Sequence, residues 1–238
     1  MMEAATYRNC CQVLPVNVHL PFTTLRRGPL RLLLPTLLAL AVLVGAAAPL
    51  LAPPAYAADD TGWVIDDFAA QYQITTAGDL QVSERLAVDF DGQEKHGIYR
   101  DIPIAYDWAA DRSQLRTYNL SVQSVTNEAG QRYTYSVTNS KTTVRIKIGD
   151  ADRFVSGKLT YVINYTVRGA LNPFSDHDEL YWNVTGDGWA VPIEHASADL
   201  KLPSGSLQQV ACYQGATRSS ETCVAQMSGA QAHFESTR

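Results

Sequence analysis

The stretch Gly157–Gly169, GKLTYVINYTVRG, decides the fold. Leu159, Tyr161, Ile163, Tyr165 and Val167 recur at every second position and so lie on one side of the chain. That period of two belongs to a strand with one buried face, because successive side chains in an extended backbone point to opposite sides. A helix would repeat its apolar residues every 3.6 positions.

The same rhythm spreads outward in both directions. LQVSERLAVDF places Leu80, Val82, Leu86, Val88 and Phe90 together, and TTVRIKIGD alternates Val144, Ile146 and Ile148 with Arg145 and Lys147. SADLKLPSG alternates Ala198, Leu200 and Leu202, while TYNLSVQSV and QRYTYSV read as strands joined by the turn TNEAG. Val, Ile, Thr and Tyr dominate these runs, as pleated surfaces prefer. Turn signals such as FDGQEKHG, IGDADR, TGDG and LPSG separate them. Short strands with a turn every 8–12 residues predict an all-β fold, an antiparallel β-sandwich of Ig-like or jelly-roll-like kind. Some eight or nine strands fit between Trp63 and Val210 by this reading. YDWAADRSQLRTY breaks the rhythm and reads as a helical turn or a long loop. AHFESTR reads as a strand that opens with no partner after it, so the expected domain is cut at its C-terminal side.

The first quarter of the chain has a different character. Arg26, Arg27 and Arg31 precede an apolar run that ends in Ala55-Tyr56-Ala57. A positive flank, an apolar core and a small-residue site predict a signal peptide over residues 1–57, with cleavage before Ala58. The run is also near the length of a membrane span, so an uncleaved anchor helix is the alternative. Residues 58–238 are then the exported domain. The whole chain carries a net charge of −5, and removing residues 1–57, with four arginines and one glutamate, takes it to about −8. No basic stripe remains, which argues against nucleic acid, since phosphate binding needs clustered Lys and Arg. Cys212 and Cys223 are the cysteines that survive such processing, and an even pair in an oxidising compartment predicts a disulfide, the alternative being two free thiols.

Two segments concentrate chemistry. In FSDHDELYWNVTGDGW, Asp176, His177, Asp178 and Glu179 form the densest group of possible ligands. Asp176 and Asp178 with a backbone carbonyl present the oxygen chemistry of a calcium site, though without the spaced Gly and distant acid of an EF-hand loop. The other reading is a solvated turn begun by Asn172-Pro173, with Arg100 or Arg168 nearby. Trp182 and Trp189 are either core anchors or a platform for a sugar face. Gly186 and Gly188 permit a tight turn at positive φ. In KHGIYRDIP, His96, Tyr99 and Arg100 stand together. Arg100 is expected to pair with a strand-end carboxylate such as Asp176 or Asp178, and a catalytic reading would use His96 as a base with Asp101 behind it. No Gly-x-Ser-x-Gly elbow is present, and spacing singles out no carboxylate pair for glycoside hydrolysis.

HGIYRDIP, LNPFSDHDELYWNVTGDGWAVPI and CYQGATRSSETC, in that order, resemble the N-terminal extracytoplasmic domain of the YciQ-like predicted bacterial membrane proteins. The resemblance runs from about Trp63 to the end. It implies a domain of unknown function that follows a signal peptide and precedes transmembrane helices, tethered at the extracytoplasmic face, and it assigns no catalytic residue. The expected function is therefore non-catalytic recognition or scaffolding among envelope components. A carbohydrate- or peptide-binding module, or a calcium-supported binding domain, is the alternative.

Overall fold

The computed structural model describes residues 12–18, 62–108, 111–215 and 219–237. These residues form strands and no helix. The strands are β1 (Gln12–Val18), β2 (Val64–Ile74), β3 (Leu80–Asp89), β4 (Gly97–Pro103), β5 (Ala105–Trp108) and β6 (Asp111–Thr117). They continue as β7 (Asn119–Thr126), β8 (Tyr135–Asn139), β9 (Thr143–Gly149), β10 (Lys158–Arg168), β11 (Leu171–Pro173) and β12 (Asp178–Asn183). The last are β13 (Ala196–Lys201), β14 (Ala211–Gln214), β15 (Glu221–Thr222), β16 (Val224–Ser228) and β17 (Gln231–Glu235).

A seven-stranded sheet runs in the order β16-β17-β13-β2-β3-β10-β7. Its centre is the stretch first read from the sequence: β10 pairs with β3 at ten successive positions, from Lys158↔Asp89 to Val167↔Leu80. All the pairs in it are antiparallel except β13 with β2, which is parallel. A three-stranded sheet, β4-β9-β8, and a five-stranded sheet, β11-β12-β1-β14-β15, share its core. The alternation does the sorting. Leu80, Val82, Leu86 and Val88 are buried from β3, with Phe90 just after it, Tyr161, Ile163, Tyr165 and Val167 from β10, and Val144, Ile146 and Ile148 from β9. Burying such side chains is the main stabilising term, at about 1.5–3 kcal/mol for each fully buried aliphatic or Phe.

Two local expectations are corrected. YDWAADRSQLRTY is a hairpin, β5 with β6, with neither a helical turn nor a long loop in its described part. Asn172-Pro173 does not begin the turn: both lie in β11, and the chain reverses at Phe174–His177, where the Phe174 amide donates to the His177 carbonyl at 2.8 Å. The final strand read from AHFESTR is β17, which lies between β13 and β16, both earlier in the chain. The leader predicted over residues 1–57 lies outside the described residues except for β1, which pairs with β12 and β14.

Candidate functional site

β4 runs Ile98, Tyr99, Arg100, Asp101, Ile102, so the pleat that buries the two isoleucines also buries Arg100. β3 does the same with Glu84, which falls in phase between Val82 and Leu86. Arg100 and Glu84 both have 0% exposure and meet in a fork: Nε donates to Oε2 and Nη2 to Oε1, each at 2.7 Å. The remaining guanidinium hydrogens reach three carbonyls, Val184 at 3.0 Å, Thr185 at 2.7 Å and Asp101 at 3.0 Å. All five N–H donors of the side chain are therefore used. Tyr165 donates its hydroxyl to Glu84 Oε1 at 2.6 Å, and Trp189 Nε1 donates to the same Thr185 carbonyl at 2.7 Å. The Phe68 ring lies 5.2 Å from the guanidinium carbon.

The electrostatics follow from burial. Removal from water would lower the Arg100 pKa, but the Glu84 carboxylate outweighs it and holds the guanidinium more firmly protonated than usual. Burial, then the Glu84 charge, pushes the Tyr165 phenol well up, so it remains a donor. Gly186 closes the arrangement at φ +75°, where a Cβ would stand 2.7 Å from Arg100 Nη1. Gly188 is not among the positive-φ glycines. Glu84 was missed in the sequence. Its signal was available, as an acid in phase with the five apolar residues of the run Leu80–Phe90.

The other residues singled out are dispersed. The expected partners of Arg100, Asp176 and Asp178, are replaced by Glu84, because Arg100 points inward from mid-strand. Arg168 has its carboxylate neighbour in Asp79, at 4.0 Å. His96 is exposed, with Nδ1 3.2 Å from the Asp150 carbonyl and its ring against Phe154. Asp101 gives both carboxylate oxygens to Arg145, at 2.7 and 2.6 Å, so no His96–Asp101 couple is assembled. Tyr99 is 55% exposed, under the Arg145 guanidinium. Asp176 bonds His177 at 2.8 Å, and His177 stacks on Phe174. Asp178 opens β12, and among the described residues no group of three or more His, Cys, Asp or Glu side chains could hold a metal ion. Trp182, 1% exposed, packs against Tyr72 and Tyr118, and Trp189 is half-buried over Arg100. The tryptophans are thus core anchors, not an exposed sugar platform, because the pleat turns Trp182 inward and the Arg100 staple draws Trp189 down. Glu179 and Tyr181 face a pocket of about 410 Å³.

Two further features tie the C-terminal strands in place. His195 bridges Asp67 on β2 and Glu235 on β17, at 2.7 and 2.9 Å. Cys212 and Cys223 form the expected disulfide, joining β14 to the segment after β15.

Residues 64–234 match the model of the family described as "Predicted membrane protein (DUF2207) N-terminal domain". The uncharacterized protein YciQ of Escherichia coli K12 is 30% identical over 128 residues, covering 53% of this chain and 20% of that protein. The chain thus spans about one fifth of the length of that curated relative. Among solved structures, yeast LTA4 hydrolase in complex with bestatin is similar at TM-score 0.43 and 10% identity, over 73% of this chain and 26% of that one. An M1 zinc metallopeptidase from Deinococcus radiodurans is similar at TM-score 0.38 and 10% identity, over 73% and 38% of the two chains. Likenesses this loose bear on neither activity nor ligand. Among the described residues no helix is long and apolar enough to cross a membrane.

Proposed function

The chain belongs to the DUF2207 family of predicted membrane proteins, as its N-terminal domain, and from that premise we propose that it is a non-catalytic recognition or scaffolding domain displayed at the extracytoplasmic face. The observation that carries the location is the Cys212–Cys223 disulfide, since such bonds form and persist in oxidising compartments and are rare in the cytosol. The polar cluster supports recognition over catalysis. Its most concentrated charge, Arg100, has every donor spent on Glu84 and backbone carbonyls, and a side chain so saturated positions a turn rather than a substrate. His96 and Asp101, the residues a general base would need, are given to different partners.

The location is tested in intact cells carrying the full-length protein. Ser136, exposed on β8, is replaced by cysteine and treated with a membrane-impermeant maleimide. Labelling before lysis is expected. Labelling that appears only after lysis overturns the extracytoplasmic assignment.

A further inference from the structure

β1 is the middle strand of the five-stranded sheet, and among the described residues no ladder joins β12 directly to β14. It runs antiparallel to both, so β12 and β14 are parallel to each other with one strand between them. Two interstrand spacings, each about 4.7–4.9 Å, set the width of that slot. Val13 stands opposite Trp182 on one side and Cys212 on the other, Leu14 opposite Ala211, and Val16 opposite Leu180. The slot reaches the core, since Leu180, Trp182 and Cys212 are all buried. β11 pairs with the other edge of β12 only from Asp178 to Leu180, so the ladder at Trp182 is made with β1. On β14 the Cys212 carbonyl accepts from the Cys223 amide on the β15 side, so the peptide groups of Ala211 and Tyr213 turn into the slot.

The sheet and the leader make opposite demands on β1. The recognition reading above places the domain at the extracytoplasmic face, behind a leader in which Arg26, Arg27 and Arg31 precede the apolar run. A basic flank of that kind stays on the cytoplasmic side, whether the run is cleaved or kept as an anchor. Residues 12–18 lie N-terminal to the flank and stay with it. A strand held on one side of a membrane cannot pair with β12 and β14 on the other, and the β1 of a second copy is excluded on the same ground. In the exported domain the slot is therefore open to another strand. Left empty, it strips buried peptide groups of their partners and bares the core at Leu180, Trp182 and Cys212. What fits is what β1 itself shows: an extended segment of 7 residues, apolar at the positions opposite Trp182 and Leu180. The charged residues of β11, β12, β14 and β15 are Asp178, Glu179 and Glu221, all acids, so the slot favours a neutral or basic segment over an acidic one.

We propose that β12 and β14 form a strand-acceptor slot in the exported domain, filled in trans by an extended, neutral-to-basic peptide segment of a partner protein. Recognition is by strand addition: the two main-chain ladders supply affinity, and the side-chain positions opposite Trp182 and Leu180 supply selectivity. The proposal deepens the recognition reading and rests on it for the side of the membrane on which β1 lies.

The test uses right-side-out membrane vesicles carrying the full-length protein. The probe is a synthetic peptide of residues 12–18, QVLPVNV, with a benzophenone amino acid in place of Val16. Irradiation at rising peptide concentration should give saturable cross-linking with a Kd of about 10 μM. The adduct should lie on β12 or β14, since Val16 stands opposite Leu180. N-methylation of the peptide at Val13 and Leu14 removes one amide donor toward each edge and should weaken binding about tenfold. Val13→Asp in the peptide should do the same, because it sets a charge opposite Trp182 and Cys212. A lysine added at the C-terminal end should bind about threefold tighter than a glutamate added there. The proposal is overturned by cross-linking no greater than in vesicles lacking the protein, the result also given by a later segment of the same polypeptide lying in the slot. It is overturned equally by an N-methylated or Asp peptide that binds like the parent, by a glutamate end that binds as well as a lysine end, or by an adduct outside β12 and β14. The maleimide labelling separates the two failures. Protein labelled before lysis that ignores the peptide sinks the slot alone; protein labelled only after lysis sinks the location, and with it the reason for β1 to leave.

Discussion

Arg100 on β4 and Glu84 on β3 join two sheets through a doubly hydrogen-bonded ion pair that has no contact with solvent. The same guanidinium fixes the Val184–Gly186 turn, so one side chain sets the distance between the three-stranded sheet, the seven-stranded sheet and the end of β12. Buried pairs of this kind are weak sources of net stability, because desolvation offsets most of the attraction, yet they are costly to break by halves.

Removing one partner is therefore expected to be severe and removing both mild. Arg100→Met leaves the Glu84 carboxylate buried and uncompensated, at a cost of about 3–5 kcal/mol. Arg100→Met with Glu84→Leu should recover most of that loss, although the Val184 and Asp101 carbonyls lose the Arg100 donor and the Thr185 carbonyl keeps only Trp189 Nε1 of its two side-chain donors. Urea unfolding of the single and double variants measures the difference. A double variant no more stable than Arg100→Met would show that the pair's role is to satisfy those carbonyls.

The His195 bridge predicts a pH dependence of defined sign. Its hydrogen bonds to Asp67 and then Glu235 raise the His195 pKa above its ordinary 6.5, and the bond from His195 lowers that of Glu235 below 4.5. A raised histidine contributes stability that is full below 6.5 and fades as pH rises through the folded-state value. A lowered glutamate contributes stability that is present above 4.5 and fades as pH falls through its own folded-state value. The bridge is thus strongest between about pH 4.5 and 6.5. Arg85 also reaches Asp67, at 3.1 Å, and His233 stands 3.9 Å from Glu235, so both carboxylates keep a second partner. The groups stand largely in solvent, which screens the bridge, so the effect on Tm is small. His195→Gln should lower Tm near pH 5.5 and lower it by less at pH 8.5. An equal loss at both values would remove the charge from the explanation.

The disulfide predicts a redox-dependent melting temperature. Cys212 and Cys223 are 11 positions apart, and closing so short a loop is worth about 3 kcal/mol in the chain-entropy picture. Reduction, or replacement of both cysteines by alanine, should lower Tm by roughly 6–12 °C for a chain of this size. No shift on reduction would mean that β14 and the segment after β15 are held by packing alone.

The alternation of GKLTYVINYTVRG and its neighbours was enough to determine an all-β chain and the faces that become core, because side-chain direction in a strand depends only on position along it. The conflict was equally local: Glu84 keeps step with Leu80, Val82, Leu86, Val88 and Phe90, and Arg100 keeps step with Ile98 and Ile102. Two opposite charges committed to core faces announce that each needs a partner. Which partner is non-local, and the tertiary structure alone decided it by packing one sheet on another, 16 residues apart in sequence. The pocket was hidden for a related reason. Tyr106 and Arg116 meet only through the register of a hairpin whose pattern carries little apolar rhythm, and Asn172 meets Glu179 only because the chain turns at Phe174 instead of at Pro173. Periodicity fixes a direction for each side chain; only closure of the sheets fixes what stands there.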